Sequence, residues 1–166
     1  MKKLVSFLCI CLFSLSTIAQ EKFVVPTTTD LEKYQSSAWQ WHGAYIILIN
    51  YAKTLGKSAE EAGSSVGDIV KSSWSSDIGF EGFVKSMLYI WTIYTPQGTV
   101  EIKEQTDNKI IIIIKNFFAP IKESLSYYNV SNDEYLKFLN NYVVKIADHL
   151  GTKYTQTSTD DGIIIT

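Results

Sequence analysis

Apolar residues recur at intervals of three and four positions in four long stretches of the chain, as they do along one face of a helix. The stretches are residues 29–56, 58–74, 80–94 and 131–151, and a shorter helix is expected over residues 120–128. In the first stretch, the side chains expected on the buried face are Tyr34, Ala38, Trp41, Tyr45, Leu48, Ala52 and Leu55. Three stretches begin with Ser or Thr followed three residues later by Glu, a pair that satisfies free amides at a helix N-terminus.

Two other segments have the patterns of β-strands. Apolar and charged residues alternate over residues 100–103, and residues 110–114 are an unbroken run of isoleucine. Such a run predicts a central strand that is covered on both faces or lies at an interface with a partner. A second hairpin is expected over residues 153–166, turning at Asp160-Asp161-Gly162. The order predicts an α+β fold, in which N-terminal helices and two hairpins form a small, mostly antiparallel four-stranded sheet packed against helices.

Two glycines lie four positions apart in the second predicted helix, Gly63 and Gly67. Glycine destabilises a helix interior by about 1 kcal/mol. The pair therefore marks either a weak helix or the close approach of another backbone, and we favour close packing.

The first 19 residues have the features of a secretory signal peptide. Lys2 and Lys3 give a positive start, residues 4–15 are mostly apolar, and Thr17 and Ala19 have the spacing of a cleavage site. The apolar stretch is shorter than the ~20 residues that a transmembrane anchor needs. We therefore expect cleavage after Ala19 and a periplasmic or secreted product.

Cleavage would leave residues 20–28 as an extended arm and residues 29–166 as a single α+β domain. Cys9 and Cys11 would leave with the signal, which excludes a disulfide, a thiolate nucleophile and a Cys-ligated metal. The chain has no arginine and a formal net charge of −2, so neither nucleic acid nor an anionic lipid surface is an expected partner. No later apolar run approaches ~20 residues, so no membrane insertion is expected after processing.

Large aromatic residues are concentrated in the first three predicted helices. These rings would either fill the core or line an apolar pocket, with His42 among its few polar contacts. The predicted ligand-binding residues are Trp39, Trp41, His42, Tyr45, Trp74, Phe83 and Trp91, for a small apolar or aromatic ligand.

Only two histidines occur, His42 and His149. No second histidine or acidic residue lies one turn from His42, so a metal pair is not formed there. The chain also lacks the short motifs of nucleophilic, nucleotide-binding and zinc sites. We therefore expect no metal, no cofactor and no identifiable catalytic residue, although a general-base role for His42 stays open.

The second half of the chain combines a helix ending in Pro96-Gln97-Gly98, the hairpin TVEIKEQTDNKIIIIIKN, the helix SNDEYLKFLNNYVVKIADHLG and the DDG hairpin. In this layout, residues 80–166 resemble the small α+β ligand-binding domains of the four-vinyl-reductase and aminothiazoline-carboxylate-hydrolase-like type. The resemblance implies binding of a small, mostly apolar molecule and transfers no catalytic residue. The cysteines of many such proteins are missing here, which argues against metal or thiol chemistry.

Three functions are compatible with these observations. The first is an exported small-molecule-binding protein with an aromatic-lined pocket between helices and sheet. The second is an envelope interaction module or homodimer that uses the isoleucine strand or a sheet face. The third is a hydrolase in which His42 is the general base and Asp77 or Glu81 is its acidic partner.

Overall fold

The structure, a computed structural model, describes residues 27–160 and 162–166. The predicted signal peptide over residues 1–19, both cysteines and residues 20–26 of the predicted arm lie outside the described residues. Within the described part of the chain, five α-helices and a four-stranded antiparallel sheet confirm the predicted α+β fold. None of the described helices is long and apolar enough to cross a membrane.

The helices lie close to their predicted positions, and three of them begin with the capping boxes that the sequence indicates. They are α1 (Asp30–Thr54), α2 (Ala59–Val70), α3 (Gly79–Tyr94), α4 (Lys122–Tyr127) and α5 (Asn132–His149). Reciprocal capping boxes join Thr29 to Glu32, Ser58 to Glu61 and Ser131 to Glu134. The prediction was too long for α2, whose α-helical hydrogen bonding gives way to a 3₁₀ turn at Lys71–Ser73 before Trp74.

The four strands are β1 (Thr99–Thr106), β2 (Lys109–Lys115), β3 (Gln156–Ser158) and β4 (Gly162–Ile165), in the order β1-β2-β4-β3. The isoleucine strand β2 is central, as predicted. Its two faces differ, however: Ile110, Ile112 and Ile114 are buried, whereas Ile111 and Ile113 are only half-buried. The strand is therefore fully covered on one face only. The isoleucines of that face belong to the same hydrophobic core as the buried residues of the helices.

Helices α2 and α5 cross at the two glycines. A Cβ atom on Gly63 would lie 2.2 Å from the carbonyl oxygen of Phe138, and one on Gly67 would lie 2.6 Å from that of Tyr142. Any larger residue would push the helices apart. The structure thus confirms close packing as the reason for the pair.

The buried face of α1 differs from the predicted one by a rotation of about one residue. The buried residues are Ala38, His42, Ile46, Ile49 and Ala52. The apolar spacing in the sequence placed Trp41 and Leu55 on the buried face, whereas their side chains are 53% and 60% exposed. The helix packs through His42 and through alanine and isoleucine side chains instead.

Candidate functional site

A cleft separates the N-terminal half of α3 from the inner face of the sheet. Its deeper compartment has a volume of about 420 Å³, within the range of pockets that hold small molecules. Phe83 and Met87 of α3 form one wall, and Ile112, Ile165 and Tyr154 form the other. These side chains are buried, so the cleft has an apolar floor.

A shallower compartment of about 750 Å³ continues the cleft toward β1. Phe80, Val84 and Ile110 line both compartments and form the boundary between them. Ile102 on the edge strand is 48% exposed because α3 does not reach across it. The two compartments therefore form one depression that passes around the start of α3.

Charged side chains occur only at the mouth of the cleft. In the shallow compartment, Lys85 pairs with Glu81 at 2.6 Å. In the deep compartment, Lys109 pairs with Glu104 at 3.1 Å, and Lys153 also lines the mouth. An apolar floor with a polar rim suits a molecule that buries most of its surface and keeps a polar end in water.

Of the predicted ligand-binding residues, Phe83 lines this cleft and three others surround a separate small cavity. Tyr45, Trp74 and Trp91 border a space of about 40 Å³ between α1, α3 and α5, together with Tyr94 and Tyr142. Its volume admits roughly two or three water molecules, so it is too small for a drug-sized ligand. Burial, and then the neighbouring Tyr142 and Tyr94 phenols, raise the pKa of Tyr45, which keeps its hydroxyl neutral.

His42 lies outside both spaces and is only 3% exposed. Its Nε2 is 2.7 Å from the carbonyl oxygen of Tyr94, which can only accept, so Nε2 carries the proton. Its Nδ1 then accepts a hydrogen bond from the Tyr135 hydroxyl at 2.5 Å. Burial lowers the pKa of His42, partly offset by the bond to Tyr94, and the imidazole is therefore a neutral bridge between helices.

Trp39 and Trp41 lie at the surface of α1, with 48% and 53% of their area exposed. Trp41 packs against Tyr45 and Tyr94, with ring centroids 6.5 and 6.2 Å apart. Trp39 instead borders a shallow depression among polar side chains. The structure therefore does not bring the seven predicted residues into one pocket.

The carboxylates considered as partners of His42 are engaged elsewhere. Asp77 accepts a hydrogen bond from the Ser75 hydroxyl, and Glu81 forms the ion pair with Lys85. These contacts lower the pKa of both carboxyl groups. Among the described residues, no group of three histidine, cysteine or acidic side chains is placed to hold a metal ion.

The sequence did not identify the residues that form most of the cleft. Phe80 and Val84 are on the apolar stripe of α3, and Ile110, Ile112 and Ile165 have the pattern of core strands. An apolar stripe shows which face of a helix is buried. It does not show how completely the sheet opposite that face covers it. The sequence signal that includes Phe80 and Val84 is the apolar periodicity of α3.

Comparisons with protein-family models, with curated proteins and with solved structures find no match to this chain. The resemblance of residues 80–166 to four-vinyl-reductase-type domains therefore stays a prediction.

Proposed function

We propose that this chain is an exported protein that binds a small, mostly apolar molecule in the cleft between α3 and the sheet. The observation that carries the proposal is the deep compartment of about 420 Å³ with a floor of buried apolar side chains. Export follows from the signal-like pattern of residues 1–19. The resemblance of residues 80–166 to small ligand-binding domains supports the same function.

The proposed site differs from the one expected from the aromatic residues. Phe83 belongs to both sites. The ring nitrogens of His42 are hydrogen-bonded to Tyr94 and Tyr135, and His42 does not line the cleft. The ligand-binding proposal therefore rests on α3 and the inner sheet face, whereas Trp41, Tyr45, Trp74 and Trp91 contribute to aromatic packing.

A fluorescent probe tests the proposal directly. N-phenyl-1-naphthylamine is uncharged, and its emission rises when it enters an apolar site. We expect saturable binding of about one probe per chain. Replacing Val84, which borders both compartments, by tryptophan should fill the cleft and weaken binding at least about tenfold.

The matched control is Tyr89→Trp, because Tyr89 lies on the same helix and is 69% exposed. This variant should bind the probe like the original protein. Circular dichroism and a melting curve for each variant establish that it is folded. Absence of saturable binding to the folded protein, or full binding by folded Val84→Trp, would reject the cleft as the site.

A second candidate function is self-association through the outer face of the sheet. Ile113 on β2 pairs with Ile164 on β4, and both side chains are half-buried on the face opposite the core. Lys115 and Glu101 form an ion pair beside them. The observation that favours a symmetric dimer is this pair of half-buried isoleucines on a face that no described helix covers completely. Sedimentation velocity of the protein and of Ile113→Asp distinguishes a dimer from a monomer.

A hydrolase that uses His42 receives less support. A general base needs access to its substrate and an unoccupied basic nitrogen. In His42, Nε2 is the donor to Tyr94 and Nδ1 is the acceptor from Tyr135, and neither Asp77 nor Glu81 contacts it.

A further inference from the structure

Trp39 projects from α1 beside a set of uncharged polar side chains. The indole is 48% exposed and borders a depression of about 440 Å³. The other lining residues are Gln35, Ser36, Gln40 and Gln97. Gln97 comes from the turn between α3 and β1, so the depression joins two distant segments of the chain.

The side chains that line this depression favour an uncharged ligand with hydrogen-bonding groups. Each glutamine offers one amide oxygen as an acceptor and two N–H donors, and serine both donates and accepts. No charged side chain lines the depression, although 19% of the chain is charged. An anionic or cationic ligand would therefore find no opposite charge here, and an apolar ligand would leave the amides without partners.

A neutral saccharide matches both parts of the lining. One face of a pyranose ring carries polarised C–H bonds, which are attracted to the electron-rich face of an indole. Its hydroxyl groups both donate and accept, as the glutamine and serine side chains do. We propose that Trp39 and its glutamine neighbours form a binding site for a neutral oligosaccharide, separate from the cleft beside α3.

Two contacts hold this site in place before a ligand arrives. The Tyr34 hydroxyl donates to the carbonyl oxygen of Thr92 at 2.9 Å and fixes the first turns of α1 against the end of α3. The amide of Gly98 donates to the carbonyl oxygen of Thr95 at 3.0 Å and closes the turn that carries Gln97. A preformed platform reduces the ordering cost of binding.

The test uses the purified protein labelled with ¹⁵N, whose four tryptophans give four indole N–H resonances. Loss of one resonance in Trp39→Ala assigns Trp39, and Trp41→Ala assigns Trp41 in the same way. The probes are maltohexaose, cellohexaose, xylohexaose and chitohexaose, each titrated separately, and adenosine as a stacking ligand without an oligosaccharide chain.

We expect at least one of the four oligosaccharides to shift the Trp39 indole and the side-chain amides of Gln35 and Gln97. Affinity should fall at least about tenfold in Trp39→Ala. The matched control, Trp41→Ala, removes an equally exposed indole that packs on tyrosine rings, and it should bind normally. Val84→Trp, which fills the other cleft, should also bind the oligosaccharide normally.

Three results would overturn the proposal. The first is that none of the oligosaccharides shifts the Trp39 indole. The second is unchanged affinity in folded Trp39→Ala. The third is a shift with adenosine alone, which would assign the platform to nucleobase-like rings.

Discussion

The buried hydrogen bonds of His42 make the stability of the fold depend on pH. The imidazole is neutral, donates to the Tyr94 carbonyl and accepts from the Tyr135 hydroxyl. The two phenols around it stay neutral because burial raises their pKa values. Protonation of Nδ1 would remove the acceptor for Tyr135 and place a charge in a desolvated site.

The direction in which stability changes with pH follows from the lowered pKa of His42. In the unfolded chain, histidine takes up a proton as the pH falls through about 6.5. The folded protein resists that proton, so the unfolded state binds more protons and folding loses free energy. The loss approaches about 1.4 kcal/mol for each pH unit below 6.5 until the folded pKa is reached. Above about pH 7 this contribution is complete and constant.

Urea unfolding between pH 5.5 and 8 measures this effect, because the carboxyl groups with lowered pKa values titrate below that window. His42→Gln keeps a donor and an acceptor but cannot take up the proton, so its unfolding free energy should be nearly independent of pH. Tyr135→Phe should lose about 1–3 kcal/mol at pH 8, since it leaves Nδ1 without a donor. His149→Gln is the control and should retain the slope. A slope that survives in His42→Gln and disappears in His149→Gln would refute the assignment.

Two further pairs of substitutions test the packing. Gly63→Ala should destabilise the fold by about 1–3 kcal/mol, because its methyl group would meet the Phe138 carbonyl, whereas Gly43→Ala should stabilise it by up to about 1 kcal/mol, because nothing lies within 4 Å. Melting curves that rank the two variants the other way would contradict the α2–α5 crossing. Ile112→Asp should abolish folding, since Ile112 is 1% exposed, whereas Ile113→Asp on the outer face should stay folded. Equal melting temperatures for these two variants, measured by circular dichroism, would show that the sheet faces are assigned wrongly.

Local signals predicted most of the fold. Ser58 and Ser131 begin helices because each has a glutamate three residues later, and this contact needs no tertiary structure. The hairpin around residues 107–108 follows from the change of period from helix to strand. Gly63 favoured a helix crossing over a weak helix, and the nearby Phe138 carbonyl confirms the crossing.

The site was predicted less well because it depends on how far one layer extends over another. Trp41 was assigned to the buried face of α1 by its helical spacing, whereas the burial of His42 depends on partners 52 and 93 residues away in the chain. No periodicity encodes those partners. Phe83 was identified as one of the large aromatic residues, and it lines the cleft because it lies on the buried face of α3.

The cleft follows from the widths of the two layers. Neighbouring strands are about 4.8 Å apart, so four strands present a surface wider than the ~10 Å diameter of one helix. Here α3 packs beside β1 and α5 packs beside β3, at opposite edges of the sheet. The inner residues between them are isoleucines, which are too short to fill the gap alone, and the edge residue Ile102 is left 48% exposed. Larger side chains at Val84 or Ile110 would close this space, because both residues line the two compartments of the cleft.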